Sequence, residues 1–253
     1  LEQELGQPLF DRLTRSVALT DSGQSLYEDV RPLISELDSV TSNYRRDSAR
    51  STLRISVQPF FASELFVPNL AEFTQLNPDI DIKVDTSDEA GEKHPGSADA
   101  SIRVFKDVPK GLVSDRLFAL RLVPASSAEL KEKIFKNKKK PVVDFPRIVH
   151  ESRANAWRQW QKESGMQLSS GATRIRLDSM IAVARAAERG LGAALVPVQL
   201  SDSWFASGAL VRLFDHELRT RDAYYFVCRE EDANDTAVKK FRDWTLQKFD
   251  DAA

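Results

Sequence analysis

From Leu53 to the end of the chain, short stretches of alternating apolar residues repeatedly give way to stretches with helical spacing, and that rhythm admits few folds. Leu53, Ile55 and Val57 alternate as a half-buried strand. Ser63-Glu64 then opens a helix carrying Leu65, Leu70 and Phe73, Pro78 ends it, and Ile80, Ile82 and Val84 form the next strand. This is a βαβ unit. Similar strand signals recur at Ala100 to Val104, Leu117 to Val123, Ile148-Val149, Arg174 to Leu177, Ala193 to Val196 and Ala223 to Val227, with helices between most of them. An α/β fold follows. At 253 residues the chain exceeds the usual length of one domain, so two or three modules are expected.

The first fifty residues follow a different pattern. Leu26, Val30, Leu33, Leu37, Val40 and Tyr44 step by four and three, the a/d spacing of a coiled coil, which marks them as a dimerisation seam. The same spacing also suits an amphipathic helix packed on its own domain. Pro32 lies inside the run and predicts a kink near Glu28 to Pro32. The polar run Asn43 to Thr52 reads as a hinge. Upstream, Leu1 to Leu5 looks like the end of a helix stopped by Gly6. Leu9-Phe10 and Val17-Ala18-Leu19 flank a polar stretch as a hairpin does, and Thr20 with Asp21 supplies an N-cap and first-turn acid. The chain opens at Leu1 within helix-like sequence and without a methionine, so it reads as a fragment with sequence missing upstream.

Composition narrows the function class. Hydrophobic residues at 42% and charged residues at 29% describe an ordinary globular chain, and no apolar run reaches the roughly 20 residues that span a bilayer. Cys228 is the only cysteine and no secretion signal is evident, which together fit a reducing cytoplasm. A net charge of −2 argues against nucleic-acid binding along the whole chain, so any DNA contact is local. Lys138-Lys139-Lys140 reads as a solvated loop. Three scattered histidines, no paired metal-ligand spacing, no phosphate loop and no nucleophile elbow point away from catalysis, and no metal or cofactor is expected. Cys228 reads as a buried small hydrophobe and His150 as a hydrogen-bonded structural residue.

One stretch is specific enough to carry a family resemblance. Leu1-Glu2-x-Glu4-Leu5-Gly6-x-x-Leu9-Phe10-Asp11-Arg12-x-x-Arg15-x-Val17-x-Leu19-Thr20-x-x-Gly23 resembles the end of the LysR-type winged helix-turn-helix and its passage into the linker helix. The resemblance continues through Ala98-Asp99-Ala100-Ser101-Ile102-Arg103, Trp157-x-x-Trp160, Asp178-Ser179, Ala186-Ala187-x-x-Gly190-x-Gly192-Ala193-Ala194-Leu195 and Phe241-Arg242-x-Trp244, and is strongest to the branch of glycine-cleavage and β-lactamase regulators. It implies two Rossmann-like lobes, as in type 2 periplasmic binding proteins, preceded by a partial winged helix-turn-helix and a long linker helix. On that plan residues 1–20 are the remnant of the DNA-binding domain and 21–50 the dimerisation helix and hinge. Residues 51–118 plus 222–253 form one effector-binding lobe and 119–221 the other, with crossings near 115–125 and 213–224. The resemblance also implies promoter DNA, a small-molecule effector and a homodimeric or homotetrameric partner, with RNA polymerase as a further candidate partner. The base-reading helix lies before the position of Leu1 in the family, so this chain alone is expected to bind DNA poorly.

Within that plan, helix N-termini are the expected effector contacts, because their unpaired N–H groups and positive dipole end hold an anion. Gln58, Phe60, Phe61 and Ser63 follow the first strand. Ser179 and Met180 follow the strand Arg174 to Leu177. Ser101, Pro124 and Ser126 lie near strand ends that line such a crevice. Ser63, and Asp178 or Ser179, could equally be simple N-caps. Phe60 and Phe105 replace smaller residues of relatives, which implies a smaller or more apolar pocket and argues against free glycine or a sugar as effector. Arg12 and Arg15 match family positions on the DNA backbone, where contacts fix register without reading sequence. The rival readings are a solute-binding protein, against which the heptad helix counts, and an enzyme on a similar scaffold.

Overall fold

A computed structural model describes residues 1–13, 16–44, 51–87, 94–136, 144–169 and 174–249. Helix α1 (Glu2–Leu5) stops at Gly6, whose φ of 68° is the left-handed conformation that glycine adopts without penalty. Strands β1 (Phe10–Leu13) and β2 (Ser16–Leu19) pair antiparallel as the wing. Thr20 then caps α2 (Asp21–Tyr44), its Oγ1 accepting from the Gly23 N–H at 3.0 Å. Gly23 is required there, because a Cβ would meet the Leu9 carbonyl oxygen at 2.0 Å. Helix α2 runs on through Pro32 for 24 residues. Arg15, residues 45–50 of the expected hinge and Lys138-Lys139-Lys140 lie outside the described residues, as do the side chains of Arg12, Val40 and Tyr44.

Strand β3 (Ser51–Val57) leads into α3 (Pro59–Phe61), a π-helical turn (Ala62–Phe66) and α4 (Val67–Leu76), which follow one another without a break. The helical stretch therefore begins at Pro59, not at Ser63. Proline has φ preset for the first helical position and its missing N–H is no loss there, and the Ala62 N–H closes the first turn on the Gln58 carbonyl at 2.8 Å. The π turn also has a local cause. Pro68 donates no N–H and its ring crowds the carbonyl four residues earlier, so the ladder re-registers with the Val67 N–H on Ala62 O.

Strand β4 (Ile80–Asp85) and β5 (Ala100–Phe105) flank β3, both parallel to it. After β6 (Leu112–Ser126) come α5 (Ala128–Ile134), β7 (Arg147–His150), a 3-10 turn (Glu151–Arg153), α6 (Ala156–Ser164), β8 (Arg174–Leu177) and α7 (Met180–Glu188). The chain closes with β9 (Ala194–Pro197), a 3-10 turn (Gln199–Ser201), α8 (Asp202–Ala206), β10 (Val211–Arg212), β11 (Leu218–Arg229) and α9 (Thr236–Phe249).

The strand order β10-β6-β11-β5-β3-β4, with β9 also on β6, makes the two long strands β6 and β11 common to both lobes. Leu112 to Ala119 of β6 pair with Ala223 to Arg229 of β11 beside β5, whereas Leu122 to Ala125 pair with β9 and Ala125-Ser126 with β10. The β6–β11 ladder slips between Arg219 and Ala223. Thr220 bridges the slip, its Oγ1 donating to the Leu120 carbonyl at 2.8 Å. Each lobe has its own aromatic core. Phe66, Phe73, Phe226, Phe241 and Trp244 pack together beneath β3, and Phe145, Trp157, Trp160 and Phe214 do so beyond the crossing. Among the described residues, no helix is long and apolar enough to cross a membrane.

Candidate functional site

A cavity of about 270 Å³ lies between the lobes, at the start of α3 on one side and of α7 on the other. Gln58, Pro59 and Phe60 wall the first side, with Val104 from the carboxyl end of β5. Leu120, Leu122 and Tyr224 from the crossing strands form the floor. His150, Ser152, Arg153, Pro197 and the run Asp178 to Ile181 wall the second side. The floor and the first wall are mostly apolar, whereas the polar groups concentrate on the second wall.

Most of those polar groups are held in place by hydrogen bonds. Arg153 donates from Nη1 to Asp222 Oδ2 at 2.5 Å, which fixes the guanidinium beside the crossing strand. His150 Nδ1 and Ser152 Oγ are 2.9 Å apart. Ser179 caps α7, its Oγ accepting from the Ala182 N–H at 3.5 Å. At the other helix start Gln58 makes no side-chain capping bond. The first N–H groups of a helix have no partner inside it, so the α3 start presents donors at the cavity edge.

Of the expected effector contacts, Gln58, Phe60, Ser179 and Met180 meet at this cavity. Phe61, Ser63, Ser101, Pro124 and Ser126 are not among its lining residues. Phe61 points into the core, its ring 5.2 Å from Tyr224 and 5.2 Å from Phe249. Ser63 lies one turn into the helix because the helix starts at Pro59, and its Oγ donates to the Phe60 carbonyl at 3.3 Å and to Glu64 at 3.0 Å. Pro124 and Ser126 lie near the carboxyl end of β6, but β6 is antiparallel to its neighbours and carries that end away from the cleft. The carboxyl-end rule holds for parallel strands. Phe105 is buried beside Tyr225 and does not line the cavity either.

Ser101 sits at the amino end of β5, where its Oγ is 2.6 Å from His94 Nδ1. Burial, reinforced by the positive charge of Arg229, lowers the His94 pKa to about 4. An unfolded chain takes up that proton near pH 6.5, whereas the folded chain resists it until about pH 4. Stability should therefore be full above pH 6.5 and fall by about 2 to 3 kcal/mol as the pH drops through that window. Urea denaturation at stepped pH checks this: His94→Gln should flatten the slope between pH 6.5 and 4, and an unchanged slope would refute it.

Sequence reasoning missed His150, Ser152 and Arg153 as cavity residues. A signal existed, because all three lie at or just past the carboxyl end of β7, a parallel strand to which the crevice rule does apply. Asp178, at the helix start that also carries Ser179, follows the carboxyl end of β8 and lines the cavity. Cys228 is buried, and burial pushes its thiol up. Among the described residues, no group of three or more His, Cys, Asp or Glu is placed to hold a metal ion.

Residues 46–250 match the LysR substrate binding domain. The chain is 29% identical over 252 residues to the glycine cleavage system transcriptional activator of Escherichia coli (strain K12), covering 98% of this chain and 81% of that protein. It is 25% identical over 248 residues to the transcriptional activator AmpR of Pseudomonas aeruginosa, covering 98% of this chain and 82% of that protein. Among solved structures, the AmpR effector binding domain from Citrobacter freundii superposes with a TM-score of 0.69 at 22% identity, over 78% of this chain and 98% of that one. The full-length virulence activator AphB of Vibrio cholerae does so with a TM-score of 0.63 at 20% identity, over 98% of this chain and 86% of that one.

Proposed function

We propose that this chain, which belongs to the LysR family of transcription regulators through its substrate-binding domain, binds a small carboxylate-bearing effector in the cavity between its lobes. Regulators of the family bind DNA and small-molecule effectors and assemble as oligomers, and the similar proteins are regulators rather than enzymes. The lobes are taken as residues 51–118 plus 222–253 and residues 119–221, and the setting as the cytoplasm. Arg12 and Arg15 of the wing are assigned to the DNA backbone, where they fix register.

One observation carries the effector reading: Arg153 and the α7 start line the same cleft as the uncapped start of α3. A guanidinium has five donors in a planar fork, and only Nη1 is needed for Asp222. A carboxylate placed between Arg153 and the backbone N–H groups of either helix gains charge-assisted hydrogen bonds and the favourable end of a helix dipole. The remainder of the guest meets Phe60, Leu120, Leu122, Met180 and Tyr224, so it is apolar or aromatic. Apolar surface buried there contributes about 25 cal/mol per Å². A cavity of about 270 Å³ falls just under the common range for drug-sized ligands, which limits the effector to a small acid. Asp178 on the same wall favours a guest that also carries an ammonium, which makes amino acids the second class to try.

An effector of this kind regulates by binding one arrangement of the lobes more tightly than another. A thermal-shift screen of small carboxylates and amino acids, followed by calorimetry on the best compound and its uncharged amide, tests the reading. The amide should bind roughly 10- to 100-fold more weakly, the loss expected for hydrogen bonds to a charged group. Equal affinity for acid and amide would remove the carboxylate from the account.

A further inference from the structure

Phe60 touches more than the cavity. Its ring meets Trp204 of the opposite lobe edge-on, with centroids 6.4 Å apart. The Trp204 indole is held from two further directions, by Arg185 stacked over its face at 4.4 Å and by Glu64, whose Oε2 accepts from the indole Nε1–H at 2.7 Å. The same Glu64 oxygen accepts from Ser203 Oγ at 3.2 Å, and its other oxygen from Ser63 Oγ at 3.0 Å. Glu64 belongs to the π turn between α3 and α4, whereas Trp204 and Ser203 belong to α8, so these bonds span 139 and 140 positions in sequence and join the two lobes.

We propose that Glu64 and Trp204 form an interlobe strut that sets the separation of the lobes and positions the Phe60 ring in the cavity wall. The π turn imposed by Pro68 supports this assignment, because one extra residue in the turn changes the direction in which the residues around it point. Trp204 is buried and its N–H loses its acceptor when Glu64 is removed, which opens it to solvent. Glu64 and Trp204 are positioning residues. They act through Phe60, which is the one residue common to the cavity wall and the strut. The consequence for recognition rests on the reading of that cavity as the effector site: a guest that displaces the Phe60 ring works against the Trp204 contact, and one that fits beside it leaves the strut closed.

The test needs no effector, so failure of the effector screen and failure of the strut are separate results. Spin labels at the exposed positions Gln75→Cys on α4 and Arg158→Cys on α6 report the interlobe distance in protein diluted with unlabelled chain. In parallel, nitrogen-15 labelling of the indoles follows solvent exchange at Trp204, identified by its absence in Trp204→Phe. Glu64→Ala should speed Trp204 indole exchange by roughly tenfold or more, and should broaden or shift the distance distribution, with the other indoles unmoved. Glu64→Gln keeps an acceptor at the same reach and should restore a narrow distribution. Trp204→Phe should broaden it as Glu64→Ala does, and the double variant should add nothing further. An unchanged distance in both single variants, or additive broadening in the double variant, would overturn the strut. Unchanged indole exchange in Glu64→Ala would overturn it as well.

Discussion

Aspartate at both Leu33 and Leu37 is expected to weaken self-association at least about 100-fold, because it places unpaired charge in an apolar seam. In the single chain Leu33 is 63% exposed and Leu37 61%, and Tyr27 and Ile34 beside them are 50% and 56% exposed. Four large apolar side chains on one helix face are costly to leave in water, and in a regulator of an oligomeric family a second copy of the helix is the natural cover. Leu26 and Val30, half-buried nearer the wing, extend the same stripe. Sedimentation or light scattering across a concentration series reads the effect. Leu33→Ile with Leu37→Ile keeps the seam apolar and should leave assembly within a few-fold of wild type. If the aspartate variant assembled like wild type, association would have to rest on the lobes.

Arg153→Met carries the second large effect. It should weaken binding of a small carboxylate about 10- to 100-fold, the contribution expected of a positioned guanidinium to a charged guest. Stability should change much less, by about 1 kcal/mol, because the Arg153–Asp222 pair is partly exposed to solvent. Arg153→Lys keeps the charge and loses the planar fork, so it should recover only part of the affinity. Calorimetry separates the outcomes. An Arg153→Met protein that binds the carboxylate as wild type does would place the anion elsewhere, whereas equal losses of affinity and stability would make Arg153 a structural strut for Asp222.

The long helix α2, the β1–β2 hairpin and most of the strands were legible because each obeys a local rule. Alternation marked β3 and β4, Gly6 marked the end of α1 and Thr20 the start of α2. The start of α3 was not legible. Serine followed by glutamate looked like a cap, while the first-turn proline at Pro59 and the disruptive Pro68 pulled the helix start back and put a π turn where a cap was expected. The site was half legible for the same kind of reason. Gln58, Phe60, Ser179 and Met180 follow from where helices begin after parallel strands. Pro124 and Ser126 lie off this cavity because sequence does not give strand direction, and β6 runs antiparallel to its neighbours. Ser101 lies off the cavity because it is at the amino end of β5, and the crevice rule applied to the strand already marked from Ala100 to Val104 points to its other end. Glu64 and Trp204 are 140 positions apart, and no local rule pairs residues at that distance.

The effector is expected to occupy the space between the two helix starts. A crystal structure of the protein grown with the carboxylate that raises the melting midpoint most would test it directly. The expected result is density between Gln58 to Phe60 and Ser179 to Ile181, with the carboxylate within hydrogen-bond reach of Arg153 and the apolar body against Phe60 and Tyr224. Density for that compound at another surface, with the interlobe cavity empty at saturating concentration, would contradict the account.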